Sequence, residues 1–156
     1  MTAANLTFPI SVEGIRRMLP HRYPFLLLDR VVEYDHDAKR VLAYKNVTSN
    51  EAYFQGHFPE RPVMPGVLVI EAMAQAAGLL TQLSEPPRAP GVEQPLYYLV
   101  KVDKARFSRM VVPGDQLMLE VEQKRMLRRM GLYVCRALVD GQEAACAEIL
   151  CAERSP

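Results

Sequence analysis

Cysteine is scarce and odd in number: Cys135, Cys146 and Cys151 are the only 3 thiols in 156 residues. Unpaired and without metal-ligand spacing, they exclude a disulfide-built scaffold and read as structural thiols buried in a reducing cytoplasm. Histidine is as rare. His21, His36 and His57 supply no ligand set even with the cysteines, so a zinc hydrolase is poorly supported and no metal or other cofactor is expected. An excess of one charge is missing too. The 19 Lys and Arg against 18 Asp and Glu leave a formal net charge of +1, which argues against nucleic acid or an anionic membrane as partner. The apolar run from Val63 to Leu83 is broken by Pro65, Glu71, Gln75 and Gly78, which makes a poor membrane span. No basic stretch followed by an apolar core precedes it, so no secretory leader is expected and the chain reads as cytoplasmic. Internal repeats and low-complexity tracts are absent.

What remains is an ordinary globular composition, 49% hydrophobic and 24% charged, long enough to bury one real core as a single domain over residues 1–156. A short amphipathic helix is expected from the N-cap Ser11 to about Leu19, ended by Pro20. "FLLLDRVVEY" and "RVLAYKNVT" read as strands joined by the polar turn "DHDAK". After a loop from Ser49 to Met64, an apolar helix runs from about Pro65, a good first helical residue, to Leu83. "SEPPRAPGVEQP", with 4 prolines and a glycine, must be loop. Four strands follow, Leu96–Phe107, Asp115–Lys124, Gly131–Asp140 and Ala144–Ala152, the last pair joined by the Asp140–Gly141 hairpin signal. Leu117, Leu119 and Val121 alternate with polar residues, as a half-buried strand requires. A helix apolar on all sides must be buried on all sides. The fold class is therefore α+β, a curved, mostly antiparallel six-stranded sheet wrapped around one long helix. Loops, the short helix or a second subunit must cover the rest of that helix.

Inside that helix sits Glu71, among Val67, Leu68, Ile70, Ala72, Met73 and Ala74. Burying an ionised carboxylate without a partner is costly, so burial favours the neutral acid, which is a proton donor. The bland alternatives are an unseen arginine partner or a solvent-facing helix edge. Gln75, one turn on, can hydrogen-bond the carboxyl. His57 lies in a loop stiffened by Pro59, Pro62 and Pro65, and an imidazole near neutrality suits a general base as well as it suits a satisfied loop residue. His36 reads as solvated in its polar turn, and His21, after Pro20, as a cap on a chain reversal. At the helix start the Gly66 N–H is unpaired at the positive end of the macrodipole, a place for an oxyanion or a carbonyl. Base, acid and carbonyl-polarising amide together suit proton abstraction next to a carbonyl with loss of a protonated leaving group, a dehydration.

"LPHRYPFLLLDRV" (19–31), "GHFPERPVMPGVLVIEAMAQAAG" (56–78), "DKARF" (103–107) and "VPGDQL" (112–117) closely resemble the (3R)-hydroxyacyl-[acyl carrier protein] dehydratases of bacterial type II fatty-acid synthesis, the FabZ type, from about Ile15 to Arg154. The resemblance implies a hot-dog fold and a homodimer as catalytic unit, commonly a trimer of dimers. It implies His57 as catalytic base, Glu71 from the opposite subunit as acid or water-orienting group, and the Gly66 N–H on the thioester carbonyl. Tyr98 would lie near the mouth of a substrate tunnel that Phe58 and Val67 help to line; a strand-core tyrosine is the plain alternative for Tyr98. The reaction would be loss of water from a (3R)-3-hydroxyacyl thioester to give the trans-2-enoyl thioester.

Dehydratase–isomerases of the family usually carry Asp at the helix position, so Glu71 implies the simple dehydratase. A hot-dog acyl thioesterase is the chief alternative, and a silent acyl-binding protein is opposed by His57, Gly66 and Glu71 occurring together. Acyl carrier proteins are acidic, so a basic patch is expected, with Lys104, Arg106 and Arg109 preferred over the clusters at Arg16–Arg22 and Lys124–Arg129. The stretch "FSRMVVPGD" is less basic than the family's pattern, which weakens the local case for that contact.

Overall fold

The computed structural model describes residues 6–154. Its elements are α1 (Val12–Met18), β1 (Arg30–Asp35), β2 (Arg40–Asn46), a 3-10 turn (Ala52–Gln55), α2 (Gly66–Ser84), β3 (Leu96–Phe107), β4 (Gln116–Leu127), β5 (Met130–Val139) and β6 (Gln142–Arg154). The strands form one antiparallel sheet in the order β1-β2-β4-β5-β6-β3. It curls around α2 in the hot-dog arrangement expected from the sequence.

Period-2 patterning does most of this. Val41 and Ala43 on β2, Leu117, Leu119 and Val121 on β4, and Cys135 and Ala137 on β5 all turn inward and are fully buried. They close on Val69, Ala72, Met73, Ala76, Leu79 and Leu80 of α2, in one continuous core. By length and composition α2 could cross a membrane, yet 67% of its apolar window is buried inside the fold. Its hydrophobicity is that of a core helix.

The Asp140–Gly141 hairpin forms as expected, with both residues left-handed at φ 51° and 77°. The β4–β5 hairpin uses the same geometry without glycine: Arg128 and Arg129 sit at φ 48° and 62°, which disfavours each by about 1 kcal/mol. "KRMLRRM" is thus a hairpin tip.

Several boundaries differ from expectation: β4 runs on to Leu127 and β6 spans Gln142–Arg154, and two more shifts bear on the site. Pro65 is the N-cap of α2 (ψ 131°), and Gly66 is its first helical residue. The first strand begins at Arg30, not Phe25. Residues 25–28 are irregular because their backbone groups go elsewhere than to a strand: the Phe25 and Leu26 amides donate to Arg22 O (2.7 and 3.0 Å), Leu27 N–H donates to Gln75 Oε1 (2.8 Å) and Gln75 Nε2 donates to Phe25 O (2.7 Å). Leu27 and Leu28 are nonetheless buried. The glutamine replaces a neighbouring strand.

Among the described residues, β3 forms one edge of the sheet and is bonded only to β6. Tyr98, Leu99 and Val100 in succession are 50%, 47% and 51% exposed, so neither face of this stretch is covered within the chain. A long apolar edge of this kind is a template for another strand.

Candidate active site

The loop between β2 and α2 is pinned at both ends. Val47 N–H donates to Asp115 O (2.9 Å) and Met64 N–H to Val111 O (2.8 Å). Between these anchors the 3-10 turn leads to His57, whose N–H donates to Tyr53 O (2.9 Å). The chain then doubles back, with Val63 N–H donating to His57 O (3.0 Å). The His57 ring is held as firmly as its backbone: Nδ1 lies 2.6 Å from Val63 O, and Phe58 stacks on the imidazole at 4.1 Å between centroids. The His57–Phe58 peptide bond is cis. A carbonyl can only accept, so Nδ1 carries a proton and, in the neutral ring, the lone pair lies on Nε2.

His57 lines a cleft of about 580 Å³ shared with Gly66, Val69, Phe107, Met110 and Val111. Pro65 O accepts from Leu68 and Val69, and the Gly66 and Val67 amides meet no acceptor among the described residues. The cleft therefore joins a basic nitrogen to the positive end of a helix. A Cβ at Gly66 would lie 2.8 Å from the Phe107 ring, so a larger residue there would have to displace that ring.

Glu71 does not enter this cleft. It lines a separate cavity of about 30 Å³ with His21, Gln75, Gly78, Tyr97 and Cys151, room for about one water. Gln75 Nε2 donates to its Oε1 at 2.8 Å. The same nitrogen holds Phe25 O, so one amide satisfies loop and acid together. His21 Nε2 lies 3.5 Å from the same carboxylate oxygen, while His21 Nδ1 is buried without a partner. Neither an arginine nor open solvent accounts for Glu71. His21, expected only to cap a chain reversal, was the neighbour missed, and its place within "LPHRYPF" was its one sequence signal.

The remaining candidates are scattered over the surface. Val67 is 73% exposed, and Phe58 and Tyr98 about half, facing away from the core. Lys104 pairs with Glu148 (2.8 Å), and Arg109 reaches Val139 O and, at 3.9 Å, Asp140. Arg106 makes no ion pair among the described residues. All three cysteines are free thiols. Cys135 and Cys151 are buried, burial pushing the Cys151 thiol up to about 12, and Cys146 is half-buried.

A long helix enclosed by a curled antiparallel sheet defines a hot-dog protein, here with the His57 imidazole and the Gly66 helix start lining one cleft. The chain belongs to the FabA-like domain family, matched over residues 19–148. It is 58% identical over 144 residues, 92% of each chain, to a 3-hydroxyacyl-[acyl-carrier-protein] dehydratase FabZ of Xanthomonas campestris pv. campestris. It is 54% identical over 148 residues, 95% of this chain and 91% of the relative, to the protein of that name from Xylella fastidiosa. Among solved structures, the dehydratase heterocomplex ApeI:P of Xenorhabdus doucetiae aligns at TM-score 0.73 and 19% identity, over 96% of this chain and 93% of that one. A mutant thioesterase from Pseudomonas aeruginosa aligns at 0.64 and 16%, over 94% and 95%. At such identities the likeness is one of fold, and a fold shared by both chemistries does not choose between them.

Proposed function

We propose that this chain, as a single hot-dog domain, removes water from (3R)-3-hydroxyacyl thioesters carried on acyl carrier protein, giving trans-2-enoyl thioesters in cytoplasmic type II fatty-acid synthesis. The observation that carries the reading is the shared cleft of His57 and Gly66, with Nδ1 committed to Val63 O and Nε2 left for substrate. The relatives, named dehydratases at 54–58% identity, favour dehydration over thioester hydrolysis.

In this mechanism the Gly66 amide holds the thioester oxygen and stabilises the charge that develops as His57 Nε2 takes a C2 proton. The C2–H electrons form the new double bond, the C3–O bond breaks, and the hydroxyl leaves as water. Glu71 protonates it, directly or through a water; in a single-base variant the His57 imidazolium returns the proton it took and Glu71 only orients the water. That the two side chains of one chain open into different cavities supports supply of the carboxyl by a second copy. The exposed edge at Tyr98–Val100 supports antiparallel pairing of β3 with its equivalent, giving a homodimer as catalytic unit and a trimer of dimers as the larger assembly. Phe58, Val67 and Tyr98 would then line the acyl tunnel, and Lys104, Arg106 and Arg109 would meet the acidic carrier protein.

The deciding assay incubates purified protein with 3-hydroxyacyl carrier-protein substrates of several chain lengths and identifies products by mass spectrometry. Products lighter by one water are expected, without free thiol; released thiol and no enoyl product would overturn the reading. His57→Ala should abolish hydration of crotonyl thioesters in a folded protein, and near-full activity would end its assignment as base.

A further inference from the structure

The core face of β2 carries a charge where its pattern calls for an apolar residue. Val41, Ala43 and Lys45 follow one another inward, and Lys45 is 6% exposed. Its Nζ lies 2.5 Å from Oε1 of Glu51, whose side chain is itself 14% exposed. Apolar residues of similar size often serve stability as well as a buried ion pair or better, so this pair calls for another explanation.

What it holds is the start of the loop that presents His57. Glu51 Oε2 accepts from Thr48 N–H (3.1 Å). Glu51 O accepts from Phe54 N–H (3.1 Å), opening the 3-10 turn, and Tyr53 O accepts from Gly56 and His57 (3.2 and 2.9 Å). A four-residue 3-10 turn has little stability of its own. Between the backbone anchors at Val47 and Met64, its other ties to the core include the buried Phe54 ring and the partly buried Tyr53 ring. The Tyr53 hydroxyl is buried beside this carboxylate, and burial, with Glu51 adding to it, pushes its pKa up.

We infer that Lys45 and Glu51 are positioning residues, a buried ion pair that clamps the 48–56 turn to the sheet and so fixes where the His57 imidazole stands. Neither touches substrate; both act through the backbone that ends at the His57 N–H. The inference rests on His57 being the base, and the experiment separates the two.

In the full-length protein, Lys45→Met with Glu51→Gln removes both charges, and the amide oxygen introduced in place of the Glu51 carboxylate can still accept from Thr48 N–H. The melting temperature should stay within about 5 °C of the parent. The kcat should fall about 10- to 100-fold at nearly unchanged KM, the penalty for a displaced catalytic group. Side-chain 15N spectra should show the His57 ring passing from a single Nδ1–H tautomer to a mixture. If the double variant does not fold, Glu51→Asp keeps both charges but draws the carboxylate back by one methylene, and the same loss of kcat is expected. Parent kcat with a single tautomer in the folded variant would overturn the inference. If His57→Ala stayed active while the tautomers mixed, the base assignment would fall and the clamp would stand.

Discussion

His21 Nε2 lies 3.5 Å from Glu71 Oε1, so the acid in the core helix has an imidazole for a neighbour. Burial lowers the His21 pKa, outweighing the rise due to Glu71, and nearby Arg22 lowers it further. The folded protein therefore binds this proton less readily than the unfolded chain, whose histidine titrates near 6.5. His21 contributes nothing against stability well above that pH. As pH falls through about 6.5, the unfolded state gains the proton first and the fold loses stability, until the lower folded pKa is passed. His21→Gln should flatten this part of the curve, measured as denaturant midpoints from pH 8 to 5. An unchanged slope would place the loss in other groups.

The buried hydroxyls of Thr81 and Tyr133 are a second pair with a directional consequence. Tyr133 is 1% exposed, burial pushes its pKa up to about 12, and its hydroxyl meets Thr81 Oγ1, which also donates to Ala77 O (3.0 Å). Tyr133→Phe leaves Thr81 its carbonyl and should cost about 1 kcal/mol. Thr81→Val orphans the tyrosine hydroxyl in the core and should cost about 1–3 kcal/mol. Chemical denaturation of the two variants checks the order; Tyr133→Phe proving the worse would refute this assignment of donors.

Features fixed by neighbours in sequence were readable from it. The alternation of Leu117, Leu119 and Val121 and the Asp140–Gly141 turn each depend on a few consecutive residues, and both formed as expected. Features fixed at long range were not. Residues 25–28 read as strand from their apolar run, yet Gln75, 48 positions from Leu27, holds the Leu27 amide and Phe25 O, and Arg22 O takes the Phe25 and Leu26 amides. The contact of His21 with Glu71 spans 50 positions that no local pattern encodes. Within the candidate site, His57 and Gly66 meet because a short loop joins them. Glu71 could be picked out as anomalous, but no single-chain pattern gives its surroundings.

The three basic residues preferred for carrier-protein contact are not equivalent. Lys104 already pairs with Glu148 and Arg109 with main-chain and side-chain acceptors around Asp140, while Arg106 has no such pair among the described residues. Unit charges 4 Å apart in water interact by about 1 kcal/mol, so reversing one changes the interaction by about twice that. Arg106→Glu should raise KM for carrier-protein substrates about 30-fold at low salt, fading as salt screens the charge. KM for a small pantetheine thioester should not move. Equal KM on both substrates at low salt would put the docking patch elsewhere.

The sharpest test concerns how many chains make one active site. His57 opens with Gly66 into the larger cleft and Glu71 into the small cavity beside Tyr97. If catalysis joins His57 of one protomer to Glu71 of another, His57→Ala and Glu71→Gln damage different halves of each site. A mixed dimer of the two variants then holds one site lacking both groups and one with both intact. Random pairing makes about half of all dimers mixed, so co-expressed or refolded mixtures should regain about a quarter of parental activity from two weakly active proteins. If both groups act from the same chain, every site in every dimer lacks one of them and mixing restores nothing. Glu71→Gln alone sets the scale: a modest loss fits an acid that orients water, and a loss of several orders of magnitude fits the proton donor.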